Sequence, residues 1–231
     1  MKIIKNYDSF VNESKTNGFK ITSIDESDIP KLLEIKYDFF AKSYNYNKKK
    51  HDNYSLGNTD WSISKKLINS DGEIIGGYFL RKTSIEKELL ELFENISMKE
   101  LNDEQWINNN LFFDVRPLYN KSGIEGVSLF VDKKYQSLGL GQLLIDGTMQ
   151  DVNIDYMLGY AYHTLGNIKQ WMKRRYLILD KENFNTDENY DYGYYMTLET
   201  KNIKLKITNF GLKYKSEHTE LNFDPSRGFI F

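Results

Sequence analysis

The 231-residue chain contains no cysteine. That absence removes disulfides, thiolate metal ligands and cysteine nucleophiles together, and it is compatible with a reducing compartment. Histidine is nearly as scarce: His51, His163 and His218 are the only three and lie far apart in the sequence. A histidine metal centre therefore has little to draw on, and no metal is expected. Neither sign of charge dominates. Thirty-one basic against 33 acidic side chains leave a formal charge of -2, so no global field holds a nucleic acid or an anionic membrane. Residues Met1 to Lys20 lack the apolar stretch of a signal peptide or membrane span, which places the expected location in the cytoplasm. Arginine is outnumbered by lysine, five to 26. An AT-rich coding sequence produces that bias as readily as selection does, and no function is read from it.

What is present describes a folded protein. Hydrophobic residues make up 40% and charged residues 28%, near the globular norm and far from a disordered chain. At about 150 residues per domain, the length means one large domain or one domain with appendages. No internal repeat or interdomain linker stands out, so a single α/β domain is the economical reading.

The order of elements follows from periodicity and punctuation. Phe19 to Ile24 alternates like a half-buried strand. Ser27, Asp28 and Pro30 then open a helix expected to run to about Tyr44, with Ile29, Leu32, Leu33, Ile35, Phe39 and Phe40 on one face. Tyr44 to Asp60 has no periodicity and reads as a solvated loop. Trp61 to Ile68 and Glu73 to Arg81 are strands joined through the turn residues Asn69, Ser70, Asp71 and Gly72. Thr83 with Glu86, and Ser97 with Glu100, are capping-box pairs that start one or two helices over residues 84 to 108. A strand follows from Gly123 to Val131, then a polar turn, then a helix from Gly141 to Val152. Asp155 to Tyr162 reads as a strand and Asn167 to Leu179 as a helix. After an acidic, asparagine-rich loop, Tyr192 to Leu198 and Ile203 to Asn209 read as two more strands.

The stretch that carries chemistry joins the strand ending at Val131 to the helix beginning near Gly141, through Gln136-Ser-Leu-Gly139-Leu-Gly141-Gln142. The first amides of a helix have no internal acceptors and point outward at the positive end of its dipole, so a diphosphate can accept several at once. Gly139 and Gly141 let a ligand approach the backbone. Two better-known phosphate loops are excluded. A Walker loop needs Lys and Ser or Thr after its last glycine, where this chain has Gln142 and Leu143. A dinucleotide fingerprint needs a third glycine at the position held by Leu144.

The order Gln136-x-x-Gly139-x-Gly141, five residues after the strand end, resembles the acyl-CoA pyrophosphate loop of the GCN5-related N-acetyltransferase superfamily. The element order agrees with that superfamily over about residues 19 to 210. The resemblance implies a mixed, mostly antiparallel central sheet with a splayed parallel strand pair and helices on both faces. It implies a domain over 19–215 with a helical insert near 84–122, between an N-terminal arm (1–18) and a C-terminal tail (216–231). It further implies an N-acetyltransferase that moves an acetyl group from acetyl-CoA to a primary amine by direct attack, with no metal and no covalent intermediate. The acceptor is a small-molecule or protein amine, and a homodimer stays open.

Residue by residue, the resemblance places the pantetheine arm along the backbone of Leu129, Phe130 and Val131. It places the pyrophosphate on the amides of Gln136, Ser137, Leu138, Gly139, Leu140, Gly141 and Gln142. Glu125, six residues before the strand end, matches the general base of the histone-type members; a plain strand carboxylate is the alternative. Asn167 matches an asparagine at a helix start. Tyr176 stands where a tyrosine could protonate the leaving thiolate, although it is nine residues on from Asn167 rather than about seven. On a straight helix the two spacings point some 160° apart, so a core role for Tyr176 stays open. His163, just after a strand, reads as a turn histidine, or as a base or substrate contact. Tyr160, Tyr162 and Trp171 read as core or as pocket wall. Lys48 to Lys50 and Lys173 to Arg175 read as solvated runs or as contacts to the 3'-phosphate of CoA.

A competing reading is a non-catalytic binding or assembly protein on the same fold. Ile4 to Glu13 is similar to short N-terminal segments of tailed-bacteriophage proteins, which implies a phage-encoded protein in a bacterial cytoplasm or virion.

Overall fold

The computed structural model describes residues 18–40, 47–93, 95–162, 176–180, 194–217, 222–224 and 228–230. In chain order they form β1 (Lys20–Ser23), α1 (Ile29–Phe40), α2 (Lys48–Asn58), β2 (Lys65–Ile68) and β3 (Ile74–Thr83). Then come α3 (Ile85–Leu92), α4 (Met98–Leu101), α5 (Glu104–Asn110), β4 (Phe113–Asp114) and β5 (Gly123–Val131). These are followed by α6 (Leu140–Asp151), β6 (Tyr156–Tyr162), β7 (Tyr176–Asp180), β8 (Tyr194–Thr200), β9 (Lys206–Ile207), α7 (Asn209–Glu217), β10 (Asn222–Asp224) and β11 (Gly228–Ile230). The chain divides into two compact units, one up to Arg81 and from Gly126 to Asn153, the other from Lys82 to Glu125 and from Ile154 onward.

In the first unit β1 pairs antiparallel with β2, and β2 antiparallel with β3 through the expected turn. The Gly126–Val131 part of β5 lies on the other side of β3. The close approach there depends on Gly76, where an added Cβ would meet the Phe130 carbonyl oxygen at 2.6 Å. The apolar face read for α1 is the one buried: Leu32, Leu33 and Ile35 pack on Phe79 of β3 and Phe130 of β5. The two phenylalanine rings meet edge to face at 5.0 Å. Each such side chain contributes about 1.5–3 kcal/mol by leaving water. Pro30 sits in the first turn of α1, where its missing N–H costs nothing. Gly147 brings α6 onto β1, since a Cβ there would lie 2.4 Å from Ile21 Cδ1.

The second unit holds β6, β8 and β7 in that spatial order, both pairings antiparallel. The helical stretch expected near 84–122 contributes its apolar faces to this core, where Ile85, Leu89 and Ile107 cluster with Phe113, Tyr156 and Leu198. It holds three helices rather than one or two. The Ser97–Glu100 capping box forms as read. At α3, however, the cap is Ser84, whose hydroxyl accepts from the Lys87 amide at 3.1 Å, one residue later than Thr83. Tyr156 fixes the same helix start, its buried hydroxyl accepting from the Ile85 amide at 2.7 Å.

Several expectations are overturned. Residues 48–58 form a helix, not a loop, because Asn47 caps it by accepting from the Lys50 amide and Lys48 pairs with Asp52 one turn on. Its buried face consists of His51 and Ser55, polar groups that an apolar periodicity search passes over. The expected helix over 167–179 is contradicted at its end, where Tyr176–Asp180 is the strand β7, Tyr176 lying opposite Leu198. The strand read over 203–209 shrinks to Lys206–Ile207, and α7 follows. The Phe112 carbonyl lies 2.4 Å from where a Gly211 Cβ would be, so only glycine lets α7 pack there.

Candidate functional site

β5 ends at Val131 as read, and the chain then turns in two steps. The Asp132 amide donates to the Ile75 carbonyl at 2.7 Å, and its carboxylate accepts from the Lys134 amide at 2.9 Å. This starts a 3-10 turn over Lys133–Tyr135. Gln136 is extended, Ser137 takes φ +66°, and Gly139 takes φ +78° immediately before α6. A left-handed residue followed by a helical one turns successive N–H groups toward the same side and forms an anion-binding concavity. At Gly139 that conformation favours a residue without Cβ.

Gln136 N–H donates to the Lys133 carbonyl at 3.5 Å, and Gln142 N–H to the Gly139 carbonyl at 3.1 Å. Among the described residues, the amides of Ser137, Leu138, Gly139, Leu140 and Gly141 make no backbone hydrogen bond of ordinary geometry. The ends of the expected seven-residue cradle are thus engaged with the protein, and the five amides between them make no such bond. The glutamine side chains are turned inward as well, Gln142 Nε2 to Asp146 at 2.8 Å and Gln136 Nε2 to the Val131 carbonyl at 3.4 Å. Gly141 differs from Gly139: its φ is unexceptional, and an added Cβ would make only ordinary contact with Leu129 Cδ2, at 3.5 Å.

Upstream on β5, the Phe130 and Val131 side chains are buried and Leu129 is half-buried. Glu125 is 6% exposed, so it is not the solvent-facing strand carboxylate that an isolated strand would suggest. The next residue, Gly126, makes room for the Tyr78 hydroxyl, 2.3 Å from where a Cβ would stand. Tyr176 begins β7, so the helical-spacing argument between it and Asn167 does not apply. Asn167, His163, Trp171, Lys173 to Arg175 and the N-terminal segment Ile4 to Glu13 lie outside the described residues. Lys48 is engaged with Asp52 at 2.6 Å and lies over the Tyr37 ring at 5.5 Å. Tyr160 donates to a carboxylate the sequence reading missed, Glu88 Oε2, at 2.9 Å. Glu88 is 2% exposed; its place at the fourth position of a capped helix gave no signal of a buried role.

Beside the turn, Glu34, Ile35, Asp38 and Phe39 of α1 with Asp132 and Lys133 line a shallow cleft of about 120 Å³. This is small against the 300 Å³ or more of common ligand cavities, so a diphosphate at the five amides would be held on a surface turn. Among the described residues no group of three or more His, Asp or Glu converges to hold a metal ion, and no helix is long and apolar enough to cross a membrane.

No protein-family model matches the chain, and no curated protein matches it in sequence. Solved structures do match. Arylalkylamine N-acetyltransferase 2 from Aedes aegypti superposes with a TM-score of 0.52 at 17% identity, over 79% of this chain and 98% of that one. The ribosomal-protein-S18-alanine N-acetyltransferase from Escherichia coli gives 0.51 at 10% identity, over 79% and 93%. Arabidopsis thaliana Naa50, in complex with the bisubstrate analogue CoA-Ac-MVNAL, gives 0.51 at 10% identity, over 80% and 99%. The chain has the mixed α/β, mostly antiparallel fold of the GCN5-related N-acetyltransferases.

Proposed function

We propose that the protein is an acyl-CoA-dependent N-acyltransferase that transfers an acetyl group from acetyl-CoA to a primary amine. The observation that carries this reading is the run of five amides without an ordinary backbone hydrogen bond, Ser137 to Gly141, at a strand-to-helix turn within a fold shared with N-acetyltransferases. One of those structures holds a CoA-containing analogue. A CoA pyrophosphate is the ligand chemistry such a turn suits, being an anion with several acceptor oxygens.

In this reading the backbone of Leu129 to Val131 pairs with the pantetheine arm and aims the thioester along β5. The chemistry needs no redox step: the neutral amine attacks the thioester carbonyl, the C–N bond forms, the C–S bond breaks and CoA leaves as the thiolate. The protein supplies alignment, which accounts for much of the acceleration in two-substrate reactions, and a base for the ammonium proton. Glu125 is the base proposed, directly or through a water. Asn167 and Tyr176 are proposed as cofactor contact and proton donor to the thiolate. The acceptor is proposed as a small-molecule or protein amine.

Thermal shift with acetyl-CoA tests the binding step. Wild type is expected to gain melting temperature and Gly139→Glu to lose the gain; no shift in wild type removes the proposal. Release of free CoA thiol with a panel of amines then separates an enzyme from a non-catalytic CoA-binding protein.

A further inference from the structure

The loop presents its amides from an irregular segment, and such segments hold a geometry only where neighbours fix them. Asn69 in the β2–β3 turn does this from outside the loop. Its side chain is 6% exposed, and every hydrogen-bonding position it has is filled. Oδ1 accepts from the amides of Asp71 at 3.0 Å and Glu73 at 2.9 Å. Nδ2 donates to Glu73 Oε2 at 2.9 Å and to the Tyr135 hydroxyl at 3.2 Å. An amide side chain offers two lone pairs and two protons, so none is left over. Three of the four bonds build the hairpin turn itself, and the fourth crosses to the last residue of the 3-10 turn, one position before Gln136.

Tyr135 is held a second time by Phe19, edge to face at 6.1 Å. Three residues earlier the Asp132 amide is bonded to Ile75. The segment Asp132–Tyr135 is therefore pinned at both ends to β3 and its turn, and the five amides begin two residues later. A phosphate held by several amides needs all of them aimed at once. Freedom at Tyr135 would spread their directions and make binding pay for ordering them again.

We infer that Asn69 and Tyr135 are positioning residues for the acyl-CoA loop: the Asn69–Tyr135 hydrogen bond presets the Ser137–Gly141 amides for the pyrophosphate, without itself touching the cofactor. This rests on the acyl-CoA reading of the loop. It separates the β2–β3 turn, whose sequence Asn69-Ser-Asp-Gly72 accounts only for a hairpin, into a turn-making part and a loop-setting part.

The test uses Tyr135→Phe, which removes one oxygen and keeps the ring against Phe19, and Asn69→Ala, which removes the donor to Tyr135 together with the three bonds that build the turn. Acetyl-CoA affinity is measured by calorimetry, and kcat and KM with a responsive amine. Tyr135→Phe is expected to weaken acetyl-CoA binding and raise its KM about three- to tenfold while kcat stays within twofold. Asn69→Ala should act in the same direction, and adding Tyr135→Phe to it should weaken binding no further, because the tie between the two is already absent. A wild-type affinity retained in folded Tyr135→Phe, or additive losses in the double variant, overturns the inference while leaving the acyl-CoA reading intact. If wild type binds no acetyl-CoA, the functional reading fails and the inference with it.

Discussion

Lys36 of α1 donates to Ser55 of α2 across 2.6 Å in a site where the lysine is only 4% exposed. The Tyr54 and Phe79 rings lie 5.9 and 5.8 Å from its ammonium. Burial lowers its pKa from 10.5 to about 8, against the opposing pull of Asp52. The neighbouring His51 is also held below its ordinary value, by burial first and then by the Lys36 charge.

Between about 8 and 10.5 the unfolded chain keeps a proton on Lys36 that the folded protein has released, so stability rises with pH across that window. Below about 8 both states are protonated and the burial cost is present in full, about 3 kcal/mol. Lys36→Met is therefore expected to raise the unfolding free energy by about 1–3 kcal/mol at pH 7 and by much less near pH 10.5. Urea melts at the two pH values check this, and equal effects at both would refute it.

The two loop glycines should respond oppositely. Gly139→Ala forces a Cβ into a left-handed position and is expected to cost about 1–2 kcal/mol of stability. Gly141→Ala adds a methyl group that makes only ordinary contact with Leu129 at the start of α6 and should leave stability unchanged or raise it by up to about 1 kcal/mol. It should nevertheless weaken acetyl-CoA binding by about tenfold, because the methyl group occupies the ligand's approach. A stable Gly141→Ala with full affinity would place the diphosphate elsewhere.

Glu125→Gln should lower kcat by about a hundredfold or more if the carboxylate takes the proton, with little change in acetyl-CoA affinity. The ratio of wild-type to variant rates should be largest on the high-pH plateau and shrink as acid protonates the wild-type carboxylate. A ratio independent of pH would mean that Glu125 holds the strand and nothing more.

Tyr156→Phe tests the second core. The hydroxyl is the acceptor for the Ile85 amide, burial pushes its pKa up to about 12, and its ring fills the space opened by Gly123. Removing the oxygen leaves a helix-start donor buried without a partner, at an expected cost of about 1–3 kcal/mol. Denaturant unfolding with an unchanged slope reads it directly.

The parts legible in the sequence are those where one physical signal dominates. β5 has the bounds read for it, and α6 starts within a residue, because an apolar run and two glycines leave little alternative. The α1 face was legible for the same reason. Two helices were not: α2 buries a histidine and a serine, the serine against Lys36 of α1, instead of an apolar stripe, and α7 depends on a glycine whose role appears only against the Phe112 carbonyl. Tyr176 was read by helical spacing, whereas its backbone pairs with Leu198, a long-range partner no local window contains. At the site, the glycine pattern located the turn. The tie from Asn69 spans 66 residues of chain and could not be read from spacing, whereas the Gln142–Asp146 bond is an i,i+4 pair that a helix reading contains.

The division of the chain at Arg81, Glu125 and Asn153 has a consequence for synthesis. Each unit is interrupted by the other in sequence, so no single truncation yields either one whole. During translation β1 to β3 leave the ribosome long before α6, and must wait for the strand and helix that complete their core. A fragment stopping at Arg81 would carry Asn69 and its turn without Tyr135, the partner it holds. Mapping this protein by deletion would therefore destroy what it sought to isolate, and substitutions or internal cuts at exposed turns are the informative route.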